Sequence, residues 1–154
     1  MRLEQYTPAR KQDFIDLNTW WIERFFGPIE PTDMLEFDGI DDEVRRGGMA
    51  FFAVDVDGTA LATCAAFDRG DAGWEIAKLG SNPTREHSGC GTAVFEACVA
   101  WAEQHGARRI FILTNSALKP AIHIYESHGF RRIQTDDFEG YSRGDYALEK
   151  IVQR

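Results

Sequence analysis

The sequence predicts an α/β (α+β) protein with a mixed, mostly antiparallel central sheet and helices on both faces. Apolar runs on either side of Asp57-Gly58 predict a β-hairpin, because this dipeptide favours the tight turn that joins antiparallel strands. A helix between a strand that ends at Ser81 and one that begins at Arg109 predicts a parallel pair, because parallel strands need a crossover connection. The 154 residues contain no repeat and no linker, so one domain over residues 1–154 is expected.

The first half of the chain predicts one strand, two helical regions and three further strands. Residues 2–6 alternate in polarity, which is typical of a strand. Thr7-Pro8 opens a helix that Gly27-Pro28 ends, because proline suits a first helical turn. Residues 30–47 predict a second, shorter helical region. The strands that follow are expected at Met49–Val56, Ala60–Phe67 and Trp74–Ser81.

The second half alternates between helices and strands. A helix follows a glycine-containing turn near residue 90 and runs toward His105. The apolar run Arg109–Thr114 predicts a buried strand. Pro120–His128 predicts a helix with proline in its first turn and Gly129 just past its end. The last two strands are expected at Phe130–Ile133 and Tyr146–Ile151.

Composition excludes several classes of protein. Lys and Arg number 17 against 25 Asp and Glu, and the resulting net charge of −8 excludes a general nucleic-acid binder. Three cysteines without a CxxC pair predict neither a disulfide framework nor a metal site. The first residues lack the apolar core of a signal peptide, and no apolar run approaches the ~20 residues of a membrane span. A cytoplasmic protein without membrane contact is therefore expected.

The most informative local feature is the sequence Ser88-Gly89-Cys90-Gly91-Thr92, here called the glycine turn, which lies between a strand and an amphipathic helix. Glycines let the backbone approach a ligand closely, and the N–H groups of a helix N-terminus bind anions. The alternative is a plain tight turn with a helix cap. The missing Lys-Ser/Thr pair excludes a P-loop, and Val94 at the third glycine position excludes the dinucleotide motif.

A second feature is the segment from Asn115 to Phe130. A strand ends near Asn115, and a helix follows on which Ala121 and Tyr125 are four residues apart and therefore share one face. This spacing directs one tyrosine back toward the sheet. The alternative is a core tyrosine whose hydroxyl is satisfied locally.

Together, Glu75–Leu79, the glycine turn and Thr114–Phe130 resemble the GCN5-related N-acetyltransferases, over nearly the whole chain. The resemblance implies a fold with a splayed parallel strand pair, here Trp74–Ser81 and Arg109–Thr114, and acetyl-CoA bound in the V-shaped opening between them. Pyrophosphate would lie on the glycine turn, pantetheine along the first splayed strand, and the thioester near Asn115 and Tyr125. The cofactor-binding residues implied are Leu79, Gly80, Ser81, Glu86, His87, Ser88, Gly89, Cys90, Gly91, Thr92, Asn115, Ala121 and Tyr125.

The chain departs from the family pattern at Glu86. The family usually has Arg or Gln three residues before the first glycine of this turn, whereas Glu86 brings a like charge near a pyrophosphate. Backbone donors supply most of the binding in such a cradle, and Arg85 and His87 are candidates for partial compensation. The departure leaves the acyl donor open between acetyl-CoA and another acyl-CoA.

Acyl transfer to an amine needs a base for the ammonium, donors for the developing oxyanion and an acid for the departing thiolate. We expect Glu75 to act as the general base, through a water. Backbone N–H groups around Leu79 or Gly80 would polarise the thioester carbonyl, and Tyr125 would protonate the sulfur. For Glu75 the alternative is a strand glutamate paired with Lys78 or another cation.

Cys90 permits a rival chemistry. A cysteine at a helix N-terminus can be a nucleophile, and His87 is three residues away. A cysteine acyl-enzyme is disfavoured because phosphate explains the helix dipole better and no orienting Asn or Asp is evident.

The acidic stretch Glu30–Glu43 contains no Lys or Arg. In the family this region helps to wall the acceptor site, so recruitment of a cationic amine is one interpretation and a solvated loop face is the other. Nearby aromatic side chains contribute to the same wall, although Trp21 and Phe25 are expected in the core. The wall candidates are Trp20, Trp21, Phe25 and Phe26.

Two functions follow from the resemblance. The first is an acetyl-CoA-dependent N-acetyltransferase that moves acetyl to a primary amine by direct attack in a ternary complex. The second is a non-catalytic acyl-CoA binding or sensing module of the same fold, which only Glu86 favours. The acceptor is a small amine or a peptide, its identity stays open, and a homodimer is compatible with the family.

Overall fold

The computed structural model describes residues 1–85, 88–135, 138 and 143–153. Within these residues, seven strands form one sheet in the order β1-β2-β3-β4-β5-β7-β6. The only parallel ladder among them joins β4 to β5, and the other five are antiparallel. The predicted mixed, mostly antiparallel sheet with one parallel pair is therefore confirmed. The strands are β1 Arg2–Gln5, β2 Met49–Val54, β3 Ala60–Asp68, β4 Trp74–Ser81, β5 Arg109–Thr114, β6 Arg131–Ile133 and β7 Tyr146–Ile151.

Helices cover both faces of the sheet, as predicted. On one face α4 and α5 enclose a core of apolar side chains from the sheet, including Ile76, Ile110 and Ile112. On the other face α1, α2 and α3 enclose a second core around Phe14 and Phe37. The two cores bury both faces of the central strands, which explains why β3 is an almost unbroken apolar run. The helices are α1 Lys11–Phe26, α2 Pro31–Asp38, α3 Ile40–Arg45, α4 Cys90–Gln104 and α5 Lys119–Ser127.

The region 30–47 differs in detail from its prediction, because it contains two short helices instead of one. They meet at Gly39, where α2 ends and α3 begins. Glycine is a poor helix former, which favours a break at this position. The backbone N–H of Glu30 donates to Asp33 Oδ2 at 2.8 Å and fixes the start of α2.

The two parallel strands separate soon after they meet. β4 and β5 are paired only at Trp74 with Ile110 and at Glu75 with Phe111. Further along β4, Lys78 has a φ of 62°, a left-handed conformation that is uncommon for any residue other than glycine. The register between β3 and β4 shifts opposite this residue, which identifies a β-bulge. The bulge and the early end of the ladder produce the splay that the resemblance implied.

Helix α1 lies directly against the splayed end of β4. A Cβ atom on Gly80 would be 2.5 Å from the carbonyl oxygen of Leu17 and 3.1 Å from Cδ1 of Trp21. Only glycine therefore allows α1 to approach the strand this closely. This contact places the C-terminal half of α1 beside the opening between β4 and β5.

The Gly80→Ala variant is expected to lose about 1–3 kcal/mol of unfolding free energy, because the added methyl group meets backbone atoms that cannot move independently. Gly91→Ala is the matched control, since its nearest neighbour would be Cδ1 of Ile124 at 3.7 Å, an ordinary contact. Urea unfolding of both variants measures the difference. Equal stabilities would contradict the close approach of α1.

Candidate active site

The opening between β4 and β5 forms a cavity of about 390 Å³, here called the splay cavity. One side consists of β4 from Ile76 to Ser81, and the facing side consists of Ile112, Leu113 and Thr114 at the end of β5. Helix α5 and the residues before it close one face, and α1 closes the other. The remaining lining residues are Trp20, Trp21, Arg24, Phe25, Pro83, Gly91, Leu118, Pro120, Ala121, Ile124 and Tyr125.

Six of the residues predicted for the site line this cavity together. Four predicted residues of the glycine turn are described but lie outside the lining, as does Asn115. Glu75 lines a neighbouring cavity instead. Glu86 and His87 lie outside the described residues. The six that meet in the splay cavity are Leu79, Gly80, Ser81, Gly91, Ala121 and Tyr125.

The glycine turn leads directly into α4. Gly89 has a φ of 81°, which suits glycine, and α4 begins at Cys90. The backbone N–H groups in the first turn of a helix have no acceptor within the helix. The turn therefore offers several donors and the positive end of a helix dipole beside the splay cavity, as an anion site requires.

The thiol of Cys90 is unsuited to nucleophilic catalysis. Its residue is only 3% exposed, and burial raises the pKa of the thiol above its usual value. A raised pKa keeps the thiol protonated at neutral pH, whereas a nucleophile needs the thiolate. This environment argues against the cysteine acyl-enzyme.

Tyr125 belongs to the core and to the cavity at the same time. It is 4% exposed, and its ring centroid lies 5.1 Å from that of Phe95. Phe95 also contacts the ring of Phe130 at 5.5 Å, so an aromatic cluster holds Tyr125 in place. Ala121 lines the cavity one helical turn earlier, which confirms that the two residues share one helix face.

Asn115 has a local task at the end of β5. Its Nδ2 donates to the carbonyl oxygen of Arg143 at 2.7 Å, and its Oδ1 accepts from the N–H of Ala117 at 2.9 Å. The side chain therefore joins the residues before β7 to the loop before α5. Its role in binding a cofactor remains a prediction.

Arg143 continues this connection to α2. Its guanidinium donates to both carboxylate oxygens of Asp33, a residue that is 5% exposed. The hydrogen bond from Arg143 lowers the pKa of Asp33, and the backbone N–H of Glu30 adds to the effect. The chain of contacts from Asp33 through Arg143 to Asn115 ties α2 to the end of β5.

Asp33→Asn is expected to lose about 3 kcal/mol of unfolding free energy at pH 7, because the neutral amide removes the buried negative charge that pairs with the guanidinium of Arg143. Because the pKa of Asp33 is lowered in the folded state, its contribution is complete above the unfolded pKa of about 4 and disappears as pH falls through the folded pKa. The difference between wild type and variant should therefore shrink below about pH 4. Chemical denaturation at several pH values tests this.

Asp42→Asn is the control, because the Asp42 side chain is 71% exposed and pairs with Arg45 on the surface. Exposed pairs contribute about 0–1 kcal/mol. A difference between wild type and Asp33→Asn that stays constant from pH 3 to pH 7 would contradict the ion pair.

A second cavity, of about 510 Å³, lies on the side of β4 that faces α2 and α3 and is here called the charged cavity. It shares Trp21, Ala77, Lys78 and Leu113 with the splay cavity, so the two cavities meet at the bulge. Seven charged side chains line it, in addition to apolar ones. The charged lining residues are Glu36, Asp42, Glu43, Arg46, Arg69, Glu75 and Lys78.

The alternative expected for Glu75 was a pairing with Lys78 or another cation, and the structure pairs Glu75 with another cation, Arg69, and not with Lys78. Nε of Arg69 donates to Oε1 of Glu75 at 2.9 Å, while Nζ of Lys78 donates to Oε2 of Glu36. The left-handed backbone at Lys78 interrupts the regular alternation of β4 and sends the lysine toward α2. No local pattern in the sequence indicated this pairing.

The aromatic side chains of α1 also differ from their prediction. Phe25, expected in the core, is 44% exposed and lines the splay cavity, as does Trp20 at 37%. Trp21 is partly buried against the second core, as expected, and it also lines both cavities. β4 and β5 are paired only at their start, so the opening between them leaves Phe25 on the wall of a cavity and not in the core.

Arg85, a candidate to compensate Glu86, is held by the β2–β3 hairpin. Its guanidinium contacts Asp55 Oδ2 at 3.2 Å and Asp57 Oδ2 at 2.9 Å. The hydrogen bond from Arg85 lowers the pKa of Asp57 to about 2. Arg85 therefore anchors the segment before the glycine turn to the hairpin.

The model of the Acetyltransferase (GNAT) family matches residues 14–130, a stretch that contains β4, β5 and the glycine turn. This chain belongs to the GNAT acetyltransferase family. No curated protein matches it. Among its described residues, this GNAT protein has no helix that could cross a membrane. The same residues contain no group of three or more His, Cys, Asp or Glu side chains placed so that they could hold a metal ion.

Solved structures agree with this GNAT fold. A GNAT acetyltransferase from Staphylococcus aureus Mu50 is 14% identical, with 99% of each chain covered and a TM-score of 0.86. An acetyltransferase from Streptococcus agalactiae is 18% identical, with 98% of each chain covered and a TM-score of 0.81. A GNAT phosphinothricin acetyltransferase from Sinorhizobium meliloti, in complex with AcCoA, is 14% identical, with 98% of this chain and 88% of that chain covered and a TM-score of 0.77.

Proposed function

We propose that this protein transfers the acetyl group of acetyl-CoA to a primary amine by direct attack in a ternary complex. The observation that carries the proposal is the splay cavity, which extends between two separated strands from the first turn of α4 to Tyr125. One cavity thus lies between a helix N-terminus, whose free N–H groups can bind an anion, and a buried tyrosine. The structure of the Sinorhizobium meliloti protein contains AcCoA and supports the choice of donor.

The residues of the splay cavity fit a coenzyme A thioester. Past Glu75, the edge of β4 that faces the opening is not paired with β5, so its amide groups can bond to the amides of a pantetheine arm. The glycine turn offers backbone donors for the pyrophosphate. The lining between these points is mainly apolar, from Ile76 and Ile112 to Ile124. Another acyl-CoA would use the same contacts, because they are made to the pantetheine arm and the pyrophosphate and not to the acyl group.

When bound, acetyl-CoA supplies an acyl thioester, and the side chains and backbone of this protein manage the protons and the charge. We assign the role of general base to Glu75, a residue of β4, because this strand lines both cavities and Glu75 lines the charged one. Backbone N–H groups near Leu79 and Gly80, just after the bulge, donate to the developing oxyanion. The phenol of Tyr125 donates a proton to the departing sulfur.

The charged cavity suits the amine acceptor. It meets the splay cavity at Lys78, next to the residues assigned to the thioester. Its described lining carries four carboxylates and three cations, an excess of one negative charge. This negative charge favours binding of a protonated amine in the charged cavity. The acidic stretch Glu30–Glu43 contributes three of these carboxylates, which supports recruitment of the acceptor over a purely solvated surface.

Binding and turnover test the function separately. Isothermal titration with acetyl-CoA measures binding, and a thiol assay measures CoA released with a panel of amines: a polyamine, an amino acid, an aminoglycoside, a peptide N-terminus and a lysine peptide. The proposal expects binding and amine-dependent thiol release. Binding without release on any amine would favour the acyl-CoA sensing module, and absence of binding to any acyl-CoA would refute both functions.

A further inference from the structure

Arg69 lies between two carboxylates of the charged cavity. Its Nε donates to Oε1 of Glu75 at 2.9 Å, and its Nη1 donates to Oε2 of Glu43 at 2.7 Å. The guanidinium also lies 4.8 Å from the ring centroid of Phe67. A planar guanidinium held by two carboxylates and an aromatic ring has little freedom to rotate.

The burial of these carboxylates makes the contacts stronger than ordinary surface pairs. The side chains of Glu43 and Glu75 are only 11% and 17% exposed. Ion pairs that are partly buried are screened less by salt and by water. Arg69 follows β3, Glu75 lies on β4 and Glu43 lies on α3, so the arginine fixes the strand side chain relative to the helix on the other side of the cavity.

We infer that Arg69 is a positioning residue for the reaction, holding one carboxylate oxygen of Glu75 so that the other is directed at the amine or its water. The role rests on the proposed function, in which Glu75 is the general base. Arg69 also separates Glu75 from Glu43, two like charges that line the same cavity. The other charged groups around Glu75 in this cavity are Glu36, Asp42, Arg46 and Lys78.

The chain contains a closely matched pair that lines neither cavity. Nε of Arg109 donates to Oε1 of Glu149 at 2.8 Å, and the guanidinium lies 4.8 Å from the ring centroid of Phe111. The side-chain exposures are 35% for the arginine and 17% for the glutamate, the same values as for Arg69 and Glu75. Loss of Arg109 therefore reports what a purely structural pair contributes.

A double-mutant cycle tests the positioning role. It compares kcat and KM of wild type, Arg69→Met, Glu75→Gln and the double variant, and Arg109→Met is the control. The acceptor substrate is an amine from the panel with which wild type releases CoA. Arg69→Met is expected to lower kcat about tenfold, because misplaced catalytic groups lose rate steeply, with the KM for acetyl-CoA within about twofold of wild type. In the Glu75→Gln background, Arg69→Met should lower kcat by less than about twofold, because the carboxylate that Arg69 positions is already absent.

The outcomes separate the alternatives. Multiplicative losses of kcat in the double variant, or an equal loss in Arg109→Met, would overturn the role of Arg69 and leave the function standing. Full recovery of kcat in Arg69→Lys, which keeps the charge without the planar fork, would overturn positioning by hydrogen-bond geometry. If Arg69→Met does not fold by circular dichroism, Arg69→Gln completes the cycle under the same criteria. A wild type that releases no CoA with any amine refutes the proposed function, and the role of Arg69 with it.

Discussion

Tyr125→Phe is expected to lower kcat about 100-fold, while the Kd for acetyl-CoA changes by less than about threefold. The substitution removes one hydroxyl and leaves the ring against Phe95, so the cavity keeps its shape. A departing thiolate that receives no proton raises the barrier of the transfer step, whereas binding uses the glycine turn and β4. Steady-state kinetics with the thiol assay and calorimetric titration measure the two quantities.

Tyr146→Phe is the control for this experiment. Tyr146 begins β7 and its ring lies 4.3 Å from the guanidinium of Arg132, outside the lining of both cavities. Loss of its hydroxyl should leave kcat within about twofold of wild type, as expected for a residue that lines neither cavity. Tyr125→Phe with more than about a third of wild-type turnover would refute the assignment of Tyr125 as the acid.

Glu75→Gln is expected to lower kcat about 100-fold as well, because the amide keeps the shape of the side chain but cannot accept the proton of the ammonium. The KM for acetyl-CoA should stay close to wild type, since Glu75 lines the charged cavity and not the splay cavity. Rates are measured at several pH values. Partial recovery of rate at alkaline pH is expected, because more of the acceptor is then already deprotonated.

Glu149→Gln controls for the loss of an arginine–glutamate pair, because the pair of Arg109 and Glu149 has the same side-chain exposures as that of Arg69 and Glu75 and an N–O distance of 2.8 Å against 2.9 Å. It should leave kcat within about twofold of wild type. If Glu75→Gln and Glu149→Gln behave alike, the carboxylate of Glu75 serves structure and another group takes the proton. Glu36 and Glu43, which line the same cavity, would then be the next carboxylates to replace.

The elements of the fold could be predicted because their signals are local. Alternating or continuous apolar residues define each strand, and a helix of crossover length between Ser81 and Arg109 requires a parallel pair. The four-residue spacing of Ala121 and Tyr125 places both in the splay cavity, because helix periodicity depends on neighbouring residues alone. Gly89 has the positive φ that a glycine at such a turn favours.

The partners of charged side chains could not be predicted, because they depend on contacts between distant parts of the chain. Glu75 is three residues from Lys78, yet it pairs with Arg69, since the bulge at Lys78 redirects the lysine toward Glu36 on α2. Asn115 likewise binds the carbonyl oxygen of Arg143, 28 residues further along the chain. Such pairings depend on how loops and helices pack, and no residue spacing encodes them.

The sequence by itself determined the fold, the glycine turn and the position of Tyr125, because short-range periodicity and backbone preferences control all three. The tertiary structure alone decided how the strands separate, which arginine holds Glu75, and that Phe25 lines the cavity. A lysine in a left-handed conformation leaves no pattern in the sequence, since glycine is the residue that ordinarily marks such positions. The register of β4 against β3, and the close contact of α1 with Gly80, exist only when the whole sheet is assembled.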